Sequence, residues 1–187
     1  LALLSISTQY KLFTKFPLWL FFTTSSFALA LAFQRASYIS LISSISLGVT
    51  FYFYYKKKSL TLFLLALVLS IPFSVHLPVL GFNNYKYLDR VMLTTDAIPY
   101  SLYFNLDKTL VGIFILAFSY QKLKVDYLKN MKLIGWSLLV MVPLFFLLTA
   151  SLGYTHFAPK LPYFTPVWIL VNLFFTCTVE EAFFRKL

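Results

Sequence analysis

The chain has 187 residues, of which 60% are hydrophobic and 12% are charged, and it carries a formal net charge of +10. Its uncharged stretches repeatedly reach the roughly 20 residues that cross a bilayer, which excludes an ordinary soluble domain. The basic residues stand in short groups between apolar runs, so the positive charge indicates membrane topology rather than a nucleic-acid surface.

Cutting the sequence at its charges predicts about six transmembrane segments. The first three cover 16–34, 36–55 and 59–80, and Pro72 and Pro78 are expected to kink or end the third because proline removes a backbone donor. The fourth covers 109–121 and starts near Leu106. The fifth has its apolar part at 133–152, and the sixth covers 166–184. The first segment is interpreted as a retained helix rather than a secretory signal, because its apolar run is long and more segments follow.

Positive charge decides whether the short fourth segment crosses, since cytoplasmic loops are enriched in lysine and arginine. If all six segments cross with the N-terminus inside, eleven of the sixteen basic residues lie on the cytoplasmic side. If the fourth does not cross, only six of them remain there. We therefore predict six spans, with Lys56 to Lys58, the basic cluster at 122–132 and the Arg185-Lys186 pair in the cytoplasm.

The longest connection covers 81–108 and holds the aspartates Asp89, Asp96 and Asp107. We expect a partly helical external loop with solvated charges, and a substrate-facing cap is the alternative. His76 is expected to be a satisfied histidine at a helix end, and His156 to be a solvent-side loop residue. Cys177 has no partner for a disulfide or a metal site, so no role is assigned to it.

The two glutamates of the chain, Glu180 and Glu181, are adjacent and lie at the end of an apolar span. An acid in such a position is costly unless it faces the bundle interior, water or a partner, which makes it a functional-site hypothesis. Glu181 and Arg185 lie four apart with the acid first, the favourable orientation for an ion pair on one helix face. Glu180 lies about 100° around the axis, on a stripe with Thr176 and Asn172.

A carboxylate in this setting can take a proton from water as a general base. The same residues also fit the simple charged cytoplasmic end of the last helix. Spacing alone leaves both interpretations open.

The segment 172–185, and most sharply its hexapeptide EEAFFR from Glu180 to Arg185, resembles the first motif of the CPBP family, the CAAX proteases and bacteriocin-processing enzymes, whose pattern is E-E-x-x-x-R. The resemblance implies an all-α, polytopic transmembrane bundle of eight helices, about six of them in this chain. It implies an intramembrane endopeptidase, multi-pass in a bacterial inner membrane, that cleaves a membrane-associated protein or peptide. In that family's terms Glu180 would activate the attacking water, Glu181 would assist, and Arg185 would orient both acids.

The later family motifs, F-x-x-x-H and H-x-x-x-N or H-x-x-x-D, have no counterpart in this sequence, and Lys186 replaces a glycine found in many members. We therefore expect 1–187 to be a single transmembrane domain that is incomplete at both ends, inactive alone, and followed by about two more helices that carry the histidines. Glutamate and histidine suit zinc, so the family leaves a zinc cofactor open, although two glutamates alone do not make a zinc site.

Two other functions remain beside the protease. A non-catalytic membrane protein, such as a bacteriocin self-immunity protein or a scaffold, would use the motif only to stabilise the bundle. A transporter would use the acidic pair as a proton or cation site. Histidines downstream would favour the protease, whereas uptake that depends on Glu180 without peptide cleavage would favour the transporter.

Overall fold

A computed structural model describes residues 2–3, 6, 11–12, 16–94, 97–119, 127–155, 157 and 160–186. Asp96, Lys122, Lys124 and His156, for which the sequence predicts loop positions, lie outside these residues. The chain divides into two compact units, one of Leu1–Tyr120 with Tyr163–Leu187 and the other of Gln121–Pro162.

The described elements are mostly helices. Two short strands come first, β1 (Lys11–Leu12) and β2 (Phe16–Pro17). Three helices follow, α1 (Leu18–Ala32), α2 (Tyr38–Lys57) and α3 (Leu60–Ser74). After the 3-10 turn Pro78–Leu80 come strands β3 (Tyr85–Val91) and β4 (Tyr100–Phe104). Helix α4 (Leu106–Ser119) completes this part of the first unit, and α5 (Tyr127–Ser151) is the helix of the second unit. The last helix is continuous and consists of α6 (Thr165–Val171), a π-helical segment (Asn172–Cys177) and α7 (Thr178–Lys186).

Each of the six predicted segments contains a helix, which confirms the mostly helical fold. Helix α4 begins at Leu106, as predicted. Pro72 lies inside α3, and this helix ends at Ser74, earlier than the predicted residue 80. Within the described residues, two helices are long and apolar enough to cross a membrane, Met131–Ser151 and Thr165–Lys186, while Leu18–Ala32 and Leu60–Ser74 are apolar but shorter.

The connection 81–108 differs from the expected partly helical loop, because it contains an antiparallel hairpin. Tyr85 lies opposite Phe104, and Val91 lies opposite Tyr100, with irregularities in the register between them. Aromatic and β-branched residues favour strands, and they are frequent here. Leu88 and Leu102 are buried in a small cluster with Phe164 and Val171. The all-α prediction therefore missed this hairpin, which packs against the start of the last helix.

The turn between α1 and α2 is fixed by two serines. The Ser37 side chain accepts a hydrogen bond from the Ser40 backbone N–H, and the Ser40 side chain accepts one from the Ser37 N–H, which together form a capping box. These bonds satisfy backbone donors that the helix start leaves open. Helix α2 ends at Lys57, and the following residue, Lys58, adopts the left-handed conformation.

Helix α4 lies in the centre of the first unit. Its residues from Thr109 to Ile115 are buried, and it packs against α2, α3 and α7. Helix α7 lies close to α4 at Gly112, where an added Cβ would lie 2.7 Å from Val179 Cγ2 and 3.0 Å from Val179 Cα. Only glycine therefore fits without a shift, because a Cβ 2.7 Å from the Val179 side chain and 3.0 Å from its Cα would push α4 and α7 apart.

Gly112→Ala is expected to lower the free energy of unfolding by about 1–3 kcal/mol, the usual penalty for overpacking a core. Gly135→Ala in α5 is the matched control, because nothing lies within 4 Å of a Cβ at that position. Alanine there improves helix propensity and should leave stability equal or slightly higher. Thermal unfolding in detergent, followed by circular dichroism, measures both. Equal midpoints for the two variants would contradict the close packing of α4 on α7.

Candidate active site

Glu180 forms an ion pair with a residue from another helix. Lys108 Nζ donates to Glu180 Oε1 at 2.7 Å, and the Lys108 side chain is 17% exposed whereas that of Glu180 is 50% exposed. Lys108 lies in the first turn of α4 and Glu180 in the first turn of α7, so the packing of these two helices at Gly112 brings the charges together.

Glu181 has a separate cation. Arg185 Nε donates to Glu181 Oε2, four residues apart on the same helix, which confirms the ion pair predicted from the spacing. Both side chains are exposed. Adjacent carboxylates point to different sides of a helix. Each glutamate of the motif is thus balanced by its own positive charge, and Arg185 contacts Glu181 rather than both acids.

The C-terminal end of α7 is held by α2. The Tyr55 hydroxyl donates to the Lys186 carbonyl oxygen at 2.6 Å. Carbonyls in the last turn of a helix lack partners within the helix, so this bond satisfies one of them. Together with the Lys108 contact, it holds α7 at both of its ends, against α4 near its start and against α2 at its end.

A π-helical segment, Asn172–Cys177, lies directly before α7. The Thr178 hydroxyl donates to the Leu173 carbonyl oxygen, five residues earlier, and the Asn172 amide donates to the Trp168 carbonyl oxygen. The predicted stripe of Asn172, Thr176 and Glu180 assumed continuous α-helical geometry, and the wider π turns break that geometry. Single π turns inside helices are frequent at functional sites.

A second polar cluster lies at the start of α4 around Asp107, whose exposure is 1%. Its two carboxylate oxygens each lie 3.0 Å from His76 Nδ1, and Asn84 Nδ2 donates to Oδ2 at 3.0 Å. The Asn84 side-chain oxygen accepts a hydrogen bond from the Leu106 N–H at 3.2 Å. A buried carboxylate is tolerated only when such partners satisfy it. The expectation of a solvated charge at Asp107 was therefore wrong, and the reading of His76 as a satisfied histidine at a helix end is confirmed.

This cluster positions Lys108. Asp107 Oδ1 also accepts a hydrogen bond from the Lys108 backbone N–H at 2.8 Å, and acidic groups are stabilised at a helix N-terminus. Asp107 thereby joins three pieces of chain: the residues after α3 through His76, the approach to the hairpin through Asn84, and the first turn of α4. Lys108, which forms the ion pair with Glu180, is the residue directly after Asp107.

The motif glutamates do not gather a set of metal ligands. No group of three or more His, Cys, Asp or Glu side chains close enough to share a metal ion occurs in the part of the chain that the structure describes. Glu180 and Glu181 are each already paired with a cation, and Cys177 is exposed. The described residues therefore do not fit a zinc site.

Sequence reasoning found Glu180, Glu181 and Arg185 but missed Lys108, Asp107 and Asn84 as parts of one arrangement. Lys108 and Glu180 are separated by 72 positions, so no local spacing connects them. The sequence does place two charged residues, Asp107 and Lys108, at the start of an apolar helix. Charged side chains in such a position need partners, which indicates a polar contact there.

No protein-family model, curated protein or solved structure matches the chain.

Asp107→Asn is expected to lower the free energy of unfolding by roughly 2–4 kcal/mol, because the amide keeps the shape but cannot accept all three hydrogen bonds of a buried carboxylate. Asp89→Asn in β3 is the matched control. Asp89 is exposed and accepts a 3.0 Å hydrogen bond from Lys86 that raises the pKa of that lysine. Exposed pairs contribute little, so this variant should unfold with the parent. Urea titration in detergent compares them, and equal loss in both variants would contradict the anchoring role of Asp107.

Proposed function

We propose that this protein is an intramembrane endopeptidase of the CPBP type, and that Glu180 is the residue that activates water. The observation that supports this most directly is the ion pair between Lys108 Nζ and Glu180 Oε1, since it places an acid of a helix long and apolar enough to cross a bilayer against a mostly buried lysine. Acids inside such helices are retained where they function.

The proposed location is a membrane crossed several times, with the six helical segments as spans. Helix α5 supports it, because none of the most apolar stretch of Met131–Ser151 is buried and its mean hydropathy is 2.3. An apolar helix with that exposure is stable in lipid rather than in water. Helix α4 has 14 residues and rises about 21 Å, less than the roughly 30 Å hydrocarbon core, so its charged first turn lies at membrane depth.

The depth of Glu180 follows from the end of the last helix. Glu180 lies six residues before Lys186, which is about 9 Å along the axis. With Arg185 and Lys186 at the cytoplasmic surface, Glu180 lies below that surface, within reach of a peptide segment at the membrane boundary. The substrate is accordingly a membrane-associated protein or peptide.

In the proposed reaction, Glu180 accepts a proton from a water molecule as the water oxygen bonds to the carbonyl carbon of the scissile peptide. The carbon–nitrogen bond then breaks, and the proton passes to the departing amine. Lys108 holds Glu180 in position by contacting Oε1, and among the described residues Oε2 has no ion-pair partner. Arg185 orients Glu181, the assisting acid. Stabilising the negative oxygen of the intermediate requires further donors, which the resemblance assigns to downstream histidines.

Reporter fusions test the topology. Fusions after residues 58, 126 and 186 should give a cytoplasmic signal, and fusions after residues 35 and 94 an external one, since this arrangement places most lysines and arginines inside. The fusion after residue 126 discriminates best. An external signal there would mean that α4 does not cross, and the proposed orientation of Glu180 would be reversed.

Glu180→Gln in the complete protein tests the reaction. It should reduce cleavage of a farnesylated CAAX reporter peptide or a bacteriocin leader reporter by about 10²–10⁴-fold, the usual contribution of a general base, while the protein still inserts. The amide keeps the shape of the acid but cannot take a proton from water. Full cleavage by this variant would remove Glu180 from the mechanism.

The charge-swap variant Lys108→Glu/Glu180→Lys is the matched control for folding. It restores opposite charges at the same two positions, so it should unfold nearer to the parent than either single change, but it should not cleave. Recovery of stability without cleavage assigns Glu180 to chemistry. If neither the parent nor the swap variant cleaves either reporter, the ion pair is a structural element of a non-catalytic membrane protein.

A further inference from the structure

A large apolar groove lies on the first unit between α1, α2 and α4, away from Glu180. Its volume is about 820 Å³, and its walls are mainly carbon, contributed by Leu20, Phe27, Ile45, Val49, Leu110 and Phe114. Pockets of about 300–1,000 Å³ are typical of specific small-molecule sites. The groove is therefore large enough to hold part of a lipid.

One end of the groove has an aromatic rim. The Phe118 ring centroid lies 5.7 Å from that of Trp19 and 5.8 Å from that of Tyr52, which joins α1, α2 and α4 at this point. All three side chains line the groove. Tryptophan and tyrosine concentrate where a membrane protein meets the headgroup layer. The rim thus marks the end of the groove that lies at the membrane surface.

Two lysines lie at the same end of the groove as the aromatic rim. Lys56 Nζ lies 5.8 Å from the Tyr52 ring centroid, and Lys57 Nζ lies 5.6 Å from that of Phe53, which also lines the groove. Neither α1 nor α2 contains an acidic residue. No ion pair to either lysine is found within the described part of the chain, so both ammonium groups are available to an anion at the rim.

The length of the groove fits one acyl chain. Along α2 its lining runs from Leu41 to Phe53, which is about 18 Å at the helical rise. One leaflet of the hydrocarbon core is about 15 Å thick. A chain that enters at the aromatic rim therefore reaches the middle of the bilayer inside the groove.

We propose that this groove binds one anionic phospholipid, with an acyl chain between α1, α2 and α4 and its phosphate between Lys56 and Lys57. The apolar wall of the groove suits the acyl chain, and the two lysines at its rim suit the negatively charged headgroup. Anionic lipids are attracted to lysines at the cytoplasmic face, and the acyl chain supplies the apolar contact that inorganic phosphate lacks.

Native mass spectrometry of the whole protein in mild detergent tests the proposal. An equimolar mixture of phosphatidylglycerol and phosphatidylcholine with identical acyl chains is offered, and the parent should retain phosphatidylglycerol preferentially. The preference should shrink at high salt, since the lysines are near the surface. Equal retention of both lipids, or retention of neither because another chain segment fills the groove, would overturn the proposal without any variant.

Two pairs of variants separate the headgroup from the chain. Lys56→Gln/Lys57→Gln should reduce the preference by about 25-fold, at about fivefold per lysine, and Lys86→Gln/Lys132→Gln should leave it unchanged. Val49→Trp fills the groove and should lower retention of both lipids. Ile42→Trp, on α2 but not among the lining residues and 66% exposed, is its control. An unchanged preference in the first variant, or equal retention by the two tryptophan variants, would refute the site.

Discussion

The buried carboxylate of Asp107 is the constraint on which the arrangement of the first unit depends. At 1% exposure it has no access to water, so its charge must be satisfied by His76, Asn84 and the Lys108 backbone. These partners come from the turn after α3, the approach to the hairpin and α4 itself. Loss of the His76 or Asn84 side chain leaves the buried carboxylate with fewer hydrogen bonds in a low-dielectric environment, which destabilises the start of this helix.

The candidate site is built on that start. Because Asp107 fixes the first turn of α4, the adjacent Lys108 projects from a rigid position, and Gly112 lets α7 approach close enough for Glu180 to meet it. An acid held by a mostly buried lysine on two packed helices is more precisely placed than one on a loop. The same geometry stabilises the bundle, so the proposed chemistry and the fold share these contacts.

The apolar surface has two different kinds of region. The most apolar stretch of α5 is exposed, as the proposed lipid-facing position of this helix requires. The groove between α1, α2 and α4 instead combines depth, an aromatic rim and two lysines at one end. That combination distinguishes a defined lipid position from a general lipid-facing surface.

Local sequence determined the positions of the six helical segments and the Glu181–Arg185 pair, because helix periodicity, apolar length and i,i+4 spacing act over a few residues. It did not determine the hairpin, because the charged residues of this connection indicated a loop although its aromatic residues favour strands. It also did not determine the π turns, which break the helical alignment of Asn172 with Glu180. Tertiary structure alone decided the partners of Asp107 and Glu180. Those pairs join residues far apart in the chain, and only helix packing at Gly112 and the turn after α3 bring their charges within hydrogen-bonding distance.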